Sequence, residues 1–263
     1  MIPGSLIKKM ADISANAFLT PSWEVPARVG AIFTTRTGGN SQSPYDSFNL
    51  GSHVQDDPAC VAMNRELLQQ KIGINNIHWL KQVHGNEVIQ VEGAYQGEIE
   101  ADGSWTSQPG QALVIQVADC MPVLVTDKSG SKVGAAHAGW RGLCSGVIHR
   151  LLQDMSLAPK DALVWLGPCI GRSAFEVGPE VFNAFLASPF FLSVDVDSAF
   201  FPGTGDRLFA DLQLLARNYL KQFGCDSVSF EPRCTFSEPQ TFYSYRRDGV
   251  TGRHGVLIWI NPD

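Results

Sequence analysis

The sequence predicts an α+β fold with mixed or antiparallel β-sheets, on three observations. Short apolar segments typical of strands outnumber helical segments along the 263 residues. Many connections between strand segments are too short for a crossover helix, which a doubly wound parallel sheet requires. No internal repeat and no linker rich in Pro, Gly and Ser divides the chain. We therefore expect a single domain over residues 1–263, with residues 1–25 as an N-terminal extension.

The strand segments are short runs rich in Val, Ile, Leu and Ala, most of them bounded by turn-forming residues. The first run, AIFTT, leads into a polar, glycine-rich loop. The predicted strands in chain order are residues 31–35, 77–80, 88–91, 112–118, 122–127, 132–137, 164–167, 228–230 and 256–260. Three of them follow one another between residues 112 and 137 with no room for a helix.

The first helix is predicted to begin after Asp57, a good N-cap residue, with Pro58 at its first position. Gly73 is placed to end it. The residues on its apolar face are Val61, Leu68 and Ile72.

Three more helices follow from the same signals. Apolar residues recur at helical spacing between 147 and 152, which predicts a helix after Gly142. Residues 179–186 and 211–223 are the other two, and Gly224 ends the last.

The composition excludes several classes of protein. The chain is 44% hydrophobic and 17% charged, which suits a globular protein with a sizeable core and not a disordered one. Its net charge is -6 and no basic stretch stands out, so nucleic acid is not an expected partner. The sequence has no run of about twenty apolar residues, so no membrane span is expected.

The cellular compartment is predicted from the N-terminus and the cysteines. No apolar block follows Lys8 and Lys9, so no secretory signal is expected. The six cysteines lie far apart and form no CxxC pair. Both observations indicate a cytoplasmic protein with reduced thiols.

Three side chains with metal-binding chemistry stand where predicted strands meet turns. His84 lies in QVHGNEV, Cys120 in VADCMPV and His137 in AAHAGWRG. Strand ends beside Gly or Pro are positions from which a scaffold directs side chains into a common pocket. Their separations match no zinc-finger spacing, so the pattern by itself also suits hydrogen-bonded core histidines and a packed cysteine.

Two imidazoles and one thiolate form an open three-ligand set, which is typical of a catalytic zinc whose fourth position takes water or substrate. We therefore predict Zn2+ as the cofactor, with His84, Cys120 and His137 as its ligands and as catalytic residues. Asp119 is adjacent to Cys120 and is a candidate to orient the ligands or to act as general base.

Copper is the less favoured metal. A blue-copper site would use Met121, but this residue follows Cys120 directly and would point to the opposite face of an extended chain. A multinuclear copper cluster needs many histidines, whereas the chain has six and no His-x-His pair. A cysteine hydrolase with Cys120 as nucleophile and His137 as base uses the same residues without metal, and the sequence leaves it open.

Several arginines stand in polar settings. Arg36 heads the loop RTGGNS, Arg141 follows Trp140, and another pair lies in YSYRRDG. Arginine in a glycine-bordered loop suits phosphate or carboxylate recognition, although most such arginines are solvated surface residues. The chain carries no Walker-type loop and no dinucleotide fingerprint.

Eight segments, taken together and in order, resemble the YfiH family. This family is also called the polyphenol oxidase or laccase-domain family, and its bacterial members peptidoglycan editing factor. The segments are TTRTGGNS, PYDSFNLGSHVQDDP, QVHGNEV, VADCMPVLVTD, AAHAGWRG, LGPCIG, FEVGPEV and FYSYRRDGVTGR. The resemblance runs from about residue 30 to the end, and AAHAGWRG preceded by ADC is its most specific part.

The resemblance implies a fold shared with a bacterial toxin's cysteine-hydrolase domain, with β-sheets layered between helices. It implies that His84, Cys120 and His137 bind zinc. The family often has Asp-Ala where this chain has Asp102 and Gly103, a departure expected to touch no proposed ligand.

The resemblance also implies a purine nucleoside enzyme, which cleaves adenosine, inosine or methylthioadenosine with phosphate and deaminates adenosine. The expected partners are therefore a small nucleoside and phosphate. As substrate-binding residues we predict Arg36 or Arg141 for phosphate and Asn49, in FNLG, for the base or sugar. Three alternatives stay open: an amidase that removes serine from the cell-wall nucleotide precursor UDP-muramoyl-serine, a copper polyphenol oxidase, and a zinc-stabilised binding module without activity.

Overall fold

Two facing β-sheets carry most of the strands in the computed structural model, which describes residues 17–93 and 97–262. The strands are β1 Phe18–Leu19, β2 Val29–Thr34, β3 Asn76–His78, β4 Leu80–Lys81, β5 Val88–Gln90, β6 Ile99–Glu100, β7 Gly103–Thr106, β8 Gln111–Val117, β9 Met121–Asp127, β10 Val133–Ala138, β11 Ala162–Leu166, β12 Glu176–Val177, β13 Phe200–Pro202, β14 Leu208–Ala210, β15 Val228–Phe230 and β16 His254–Ile260. The helices are α1 Pro58–Ile72, α2 Trp140–Cys144, α3 Val147–Asp154, α4 Pro179–Ala187, α5 Leu212–Gln222 and α6 Tyr245–Asp248.

Both large sheets are mixed. The five-stranded sheet has the order β1-β2-β16-β8-β3, and the six-stranded sheet has the order β15-β11-β9-β10-β7-β5. Most neighbours are antiparallel, but β3 with β8, β5 with β7 and β11 with β15 are parallel. Two smaller sheets, β12-β14-β13 and β4-β6, complete the described strands. The predicted α+β class with mixed sheets is confirmed.

The core has three layers because the central strands bury both of their faces. Alternate residues of β8 and β16, such as Ile115 and Val256, fill the space between the two sheets, while their neighbours Val114 and Leu257 pack toward α1. On the outer face of the six-stranded sheet, β9 packs against α3, α4 and α5. The helices therefore lie on the outside of both sheets. Strands buried on two sides read as continuous apolar runs, which is why the sequence reveals them.

The predicted helix α1 is confirmed, together with its caps. The side chain of Asp57 accepts a hydrogen bond from the N–H of Ala59, and Pro58 is the first helical residue. Gly73 ends the helix with φ 68°, a left-handed conformation that favours glycine.

The structure corrects the predicted strand at residues 77–80. It is two strands, since the chain leaves the five-stranded sheet after β3 and pairs β4 with β6. The helix predicted after Gly142 starts earlier, as α2, and is interrupted at Gly146, where φ is 83°. Strand β7 escaped prediction because its buried residues include Ser104 and Thr106, which hide the apolar pattern.

Of the predicted N-terminal extension, residues 1–25, the first 16 residues lie outside the described part of the chain. In its described part, β1 pairs with β2 at the edge of the five-stranded sheet. Among the helices that the structure describes, none is long and apolar enough to span a lipid bilayer.

Candidate metal centre

The fold brings His84, Cys120 and His137 together at one end of the β9–β10 hairpin. In this hairpin His137 lies opposite Pro122, so the end of β10 and the residue before β9 meet at the same edge. The turn after β4 delivers His84 to that edge. The possible ligand atoms of the three side chains all lie within 4.8 Å of one another. A long-range pairing of strands, and not sequence spacing, thus assembles the predicted set.

Gly139 makes this close approach possible. A Cβ atom built on Gly139 would lie 2.9 Å from the Sγ of Cys120 and 3.3 Å from the Cδ2 of His84. Any larger residue at position 139 would displace the side chains of Cys120 and His84, two of the three candidate ligands. The glycine is therefore part of the site and not merely a turn former.

Asp102 is the residue that orients the centre. Its Oδ1 accepts a hydrogen bond from Nδ1 of His137 at 2.8 Å, which assigns the tautomer and leaves Nε2 as the ligand atom. Its two oxygens also accept the backbone N–H groups of Val83, His84 and Gly85 at 3.1, 2.9 and 2.7 Å. Asp102 is fully buried, so one carboxylate fixes both the ring of His137 and the loop that carries His84.

This contact corrects the sequence-based expectation that the Asp102–Gly103 pair touches no ligand. The bonds from Asp102 also stabilise an unusual backbone, because His84 has φ 62°, a value uncommon for residues other than glycine. The sequence offered one signal: an acidic residue set between Ala and Gly where a buried strand begins.

The electrostatics of the centre favour a thiolate beside an imidazolium when no ion is bound. Burial raises the pKa of the Cys120 thiol, but the charge of His137 and hydrogen bonds from both histidines outweigh it and lower the pKa to about 6. Burial lowers the pKa of His137, but the Cys120 thiolate and the hydrogen bond to Asp102 outweigh it and raise the pKa to about 9. A thiolate with a depressed pKa is the reactive and metal-binding form of cysteine.

The donor set fits a zinc-type ion. In a tetrahedral zinc site, neighbouring ligand atoms lie roughly 3–4 Å apart, so small rotations of side chains within 4.8 Å of one another suffice to close the site. With His84, Cys120 and His137 as its protein ligands, such an ion would keep one position for water or substrate. The histidine bonded to a carboxylate is the arrangement that commonly supports zinc-ligating imidazoles.

The remaining histidines do not add a copper cluster. All six histidines of the chain are described, and the group found among the described residues is His84, Cys120 and His137. Elsewhere, His149 bonds Tyr219, and His254 accepts the N–H of Tyr243. Met121 is fully buried in the core beneath α3, on the opposite side of the strand from Cys120, as predicted.

A cleft of about 500 Å³ opens in front of the centre. Its walls come from loops and strand ends of both large sheets. The lining residues are His53, Gln82, His84, Gln116, Val117, Ala118, Asp119, Cys120, His137, Ile170, Phe175, Tyr245, Arg246 and Arg253. The cleft is large enough for a nucleoside-sized molecule.

Asp119 lines this cleft, but its carboxylate is already bonded. Oδ1 accepts the hydroxyl of Thr235 at 2.6 Å, and Oδ2 accepts the hydroxyl of Ser244 at 3.0 Å and the N–H of Arg246 at 2.7 Å. The residue ties the Cys120 turn to α6. The oxygen that bonds His137 belongs to Asp102 instead.

The structure does not place the three predicted substrate-binding residues in the lining of the cleft. Arg36 lines a separate cavity and is paired with Asp46 at 3.3 Å. Arg141 stacks on Trp140 beside another separate cavity. Asn49 is fully buried, and its Oδ1 accepts the N–H groups of Gly51 and Arg253.

The fold and the centre together define a class of protein: a mixed α+β protein with an open cleft over a two-histidine, one-cysteine centre. The family model described as "Multi-copper polyphenol oxidoreductase laccase" matches residues 30–261. The chain therefore belongs to this family.

Several bacterial proteins match almost the whole chain. A purine nucleoside phosphorylase of Pseudomonas aeruginosa is 46% identical over 246 residues, which cover 93% of this chain and 99% of that protein. The Escherichia coli purine nucleoside phosphorylase YfiH is 43% identical over 250 residues, with coverages of 93% and 99%. The crystal structure of a Neisseria meningitidis protein superposes with a TM-score of 0.89 at 42% identity, covering 94% of this chain and 100% of that one.

Proposed function

We propose that this protein is a zinc-dependent purine nucleoside phosphorylase that acts on adenosine, inosine and methylthioadenosine and also deaminates adenosine. The observation that carries the proposal is the His84–Cys120–His137 set, which faces a cleft of about 500 Å³. Relatives named purine nucleoside phosphorylase support it. The absence of disulfides among the six cysteines supports a cytoplasmic setting.

The three ligands would hold Zn2+, which supplies Lewis-acid stabilisation of negative charge in the cleft when it is bound. Asp102 keeps His137 in the tautomer that presents Nε2. Asp119, beside Cys120 in the wall, is the proposed acceptor for the proton that a water molecule loses when it attacks C6 of the purine ring in deamination. Asp119 would pass this proton to the amino group, which leaves as ammonia when its bond to C6 breaks. The hydroxyls of Thr235 and Ser244 hold that carboxylate in one orientation.

The test is release of base from nucleosides by purified, zinc-loaded protein. Adenosine, inosine and methylthioadenosine are incubated with and without inorganic phosphate, and the bases and inosine are quantified by chromatography. We expect phosphate-dependent base release from all three and inosine formation from adenosine, both abolished by a chelator and restored by zinc. Absence of phosphate-dependent release from fully zinc-loaded protein would reject the phosphorylase.

A second candidate rests on a different aspect of the same geometry. Cys120, His137 and Asp102 form a thiol, an imidazole and a carboxylate in the order of a cysteine hydrolase. The Cys120 thiolate would attack an amide carbonyl, His137 would give its proton to the leaving amine, and water would then cleave the thioester. The predicted reaction is release of serine from a UDP-muramoyl-serine precursor. It requires no metal, so serine release that persists in chelator would support it, and serine release that is lost in chelator would exclude this thiol route.

The same purified protein distinguishes the two remaining alternatives, a copper-dependent phenol oxidase and a binding module without activity. Several coppers per chain after copper loading, with oxygen consumed in the presence of a phenol, would support the oxidase. A protein that binds zinc and converts neither nucleosides nor the muramoyl precursor would support the binding module.

A further inference from the structure

Arg253 is the half-buried arginine whose charge has no carboxylate partner in the part of the chain that the structure describes. Five other partly buried arginines each form an ion pair with a carboxylate: Arg36, Arg65, Arg150, Arg233 and Arg247. Arg253 donates from Nη1 to the carbonyl oxygens of Thr251 and Gly252, both at 3.0 Å. A protein of net charge -6 thus keeps a half-buried guanidinium without a carboxylate partner among the described residues in the wall of the cleft. The more exposed Arg246 of the same wall donates to the carbonyl oxygens of Ala174 and Glu176. Partly buried charges are normally paired, so this one suits a ligand anion.

The surrounding chain is built to hold Arg253 in place. Oδ1 of the fully buried Asn49 accepts the N–H of Arg253 at 2.8 Å and the N–H of Gly51 at 2.9 Å. Gly51 leaves room for the arginine stem, since a Cβ built there would lie 2.7 Å from the Cγ of Arg253. Asn49, in the FNLG segment, is predicted from the sequence to bind the base or sugar. In the structure it holds the backbone of Arg253, which lines the cleft.

His53 and Gln116 line the cleft beside Arg253. Partial burial and the charge of Arg253 lower the pKa of His53, which is two residues from the Gly51 that packs on the Arg253 stem. Gln116 is opposite Gly255 in the β8–β16 pairing, which places it diagonally to Arg253 on the same face. Its residue exposure is 4%, and its Oε1 has no hydrogen-bond partner among the described residues.

Gln116 is held in place by a neighbouring amide. The side chain of Gln82 donates to the carbonyl of Gln116 at 2.8 Å and accepts its N–H at 2.7 Å, as a neighbouring strand would. A buried amide oxygen without a partner costs free energy unless a ligand supplies a donor. Arg253 and Gln116 therefore offer a cation and an acceptor to one molecule bound in the cleft that also holds the candidate metal centre.

We infer that Arg253, His53 and Gln116 form the oxyanion subsite of the cleft, which takes inorganic phosphate. Arg253 donates to two phosphate oxygens, His53 bonds a third, and Gln116 accepts the hydroxyl of hydrogenphosphate or of the ribose. Naming phosphate as the anion rests on the proposed phosphorylase. The bound oxygen then forms a bond to C1′ of the ribose as the bond from C1′ to the purine nitrogen breaks. The base leaves with that electron pair and takes up the proton that hydrogenphosphate gives up.

The kinetic test compares Arg253→Gln, Arg253→Lys and the wild type in phosphorolysis of inosine. We expect the KM for phosphate to rise about 30-fold or more in Arg253→Gln and less in Arg253→Lys, because lysine keeps the charge but not the two-pronged geometry. The KM for inosine and the zinc content should stay near the wild-type values. Arg150→Gln, which removes a more exposed arginine that is paired with Asp154 and does not line the cleft, is the control.

A binding measurement separates failure of the subsite from failure of the proposed function. Inorganic phosphate should raise the Tm of the wild type and of Arg150→Gln, but not that of Arg253→Gln. If wild type phosphorolyses inosine and Arg253→Gln keeps its KM for phosphate, the subsite is wrong and the phosphorylase stands. If phosphate stabilises through Arg253 while base release needs no phosphate, the subsite stands and phosphorolysis is rejected.

His53→Gln covers the case in which Arg253→Gln does not fold. His53 is exposed, so its replacement should leave the fold intact. We expect a several-fold rise in the KM for phosphate with unchanged zinc content. A KM for phosphate equal to that of the wild type in both His53→Gln and Arg253→Lys would overturn the assignment.

Discussion

The two walls of the cleft are built in opposite ways. The metal wall gathers its three donors from segments that are recognisable one by one, QVHGNEV, VADCMPV and AAHAGWRG. A second part of the lining, here called the arginine wall, takes Arg253, His53 and Gln116 from segments whose polar residues look like ordinary loop and strand-end residues. Each wall nevertheless depends on a buried polar side chain behind it, Asp102 in one and Asn49 in the other.

The difference lies in what the buried side chain holds. Asp102 accepts four hydrogen bonds, one from a ligand ring and three from the loop that carries another ligand. The side chain of Asn49 bonds backbone groups of Gly51 and Arg253 and the carboxylate of Asp56. Asp102 thus orients two candidate metal ligands, His137 and the loop of His84. Asn49 instead fixes the backbone at Gly51 and Arg253. Replacing each part should therefore give separable effects.

The largest effect is expected from the metal wall itself. Cys120→Ser removes the thiolate, so zinc retained after dialysis should fall and base release should drop by about three orders of magnitude or more. Metal analysis and the nucleoside assay measure both. Cys60→Ser, a cysteine on α1 away from the cleft, should match the wild type. Full activity in Cys120→Ser would remove the metal wall from the mechanism.

The next effect separates Asp102 from the ligands that it orients. Asp102→Asn keeps the shape but cannot accept all four hydrogen bonds, so zinc affinity should fall about 10–100-fold. Activity should return when zinc is supplied in excess, because Asp102 acts by positioning the ligands. If Asp102 reacted with substrate, excess zinc would not restore activity. Zinc titration with a competing chelator gives the affinity. Asp127→Asn is a fair control, because that carboxylate also accepts several hydrogen bonds, in a surface turn.

A smaller and different effect is expected from Asn49, which supports the arginine wall. Asn49→Ala leaves the N–H groups of Gly51 and Arg253 without their acceptor, which should cost about 1–3 kcal/mol of unfolding free energy. The KM for phosphate should rise several-fold while zinc affinity is unchanged. Urea unfolding and phosphate kinetics test the two parts. A loss of zinc in Asn49→Ala would show that the walls are not independent.

The last effect is small at neutral pH and appears only on acidification, and it concerns the sheet beneath Arg253. His254 is fully buried among aromatic rings, and its Nε2 accepts the N–H of Tyr243 at 2.8 Å. Burial lowers its pKa from 6.5 to about 3, so the unfolded chain binds this proton first as the pH falls. The stabilisation is complete above pH 6.5 and is lost toward pH 3, with a slope of about 1.4 kcal/mol per pH unit from this group. His254→Gln, which keeps an acceptor, should flatten the wild-type decline between pH 6 and 4 in urea unfolding.

The sequence by itself determined most of the long elements and named the three candidate metal ligands that the fold brings together. The caps Asp57 and Gly73 are signals within a few residues of the helix ends that they define. The apolar runs of β8, β9 and β16 mark strands buried on both faces. His84, Cys120 and His137 could be named because thiolates and imidazoles have distinctive chemistry and stood in recognisable segments.

Only the tertiary structure decided which charges are free and which are compensated. Arg36 stood in a glycine-bordered loop that resembles a phosphate site, yet its guanidinium is paired with Asp46. Arg253 gave no such signal, yet it faces the cleft unpaired among the described residues. The physical reason is range, because helix caps and strand alternation depend on neighbours in sequence. The surroundings of these arginines depend on distant groups: Arg36 also donates to the carbonyl of Pro239, 203 residues away, and Asn49 accepts the backbone N–H of Arg253 from 204 residues away.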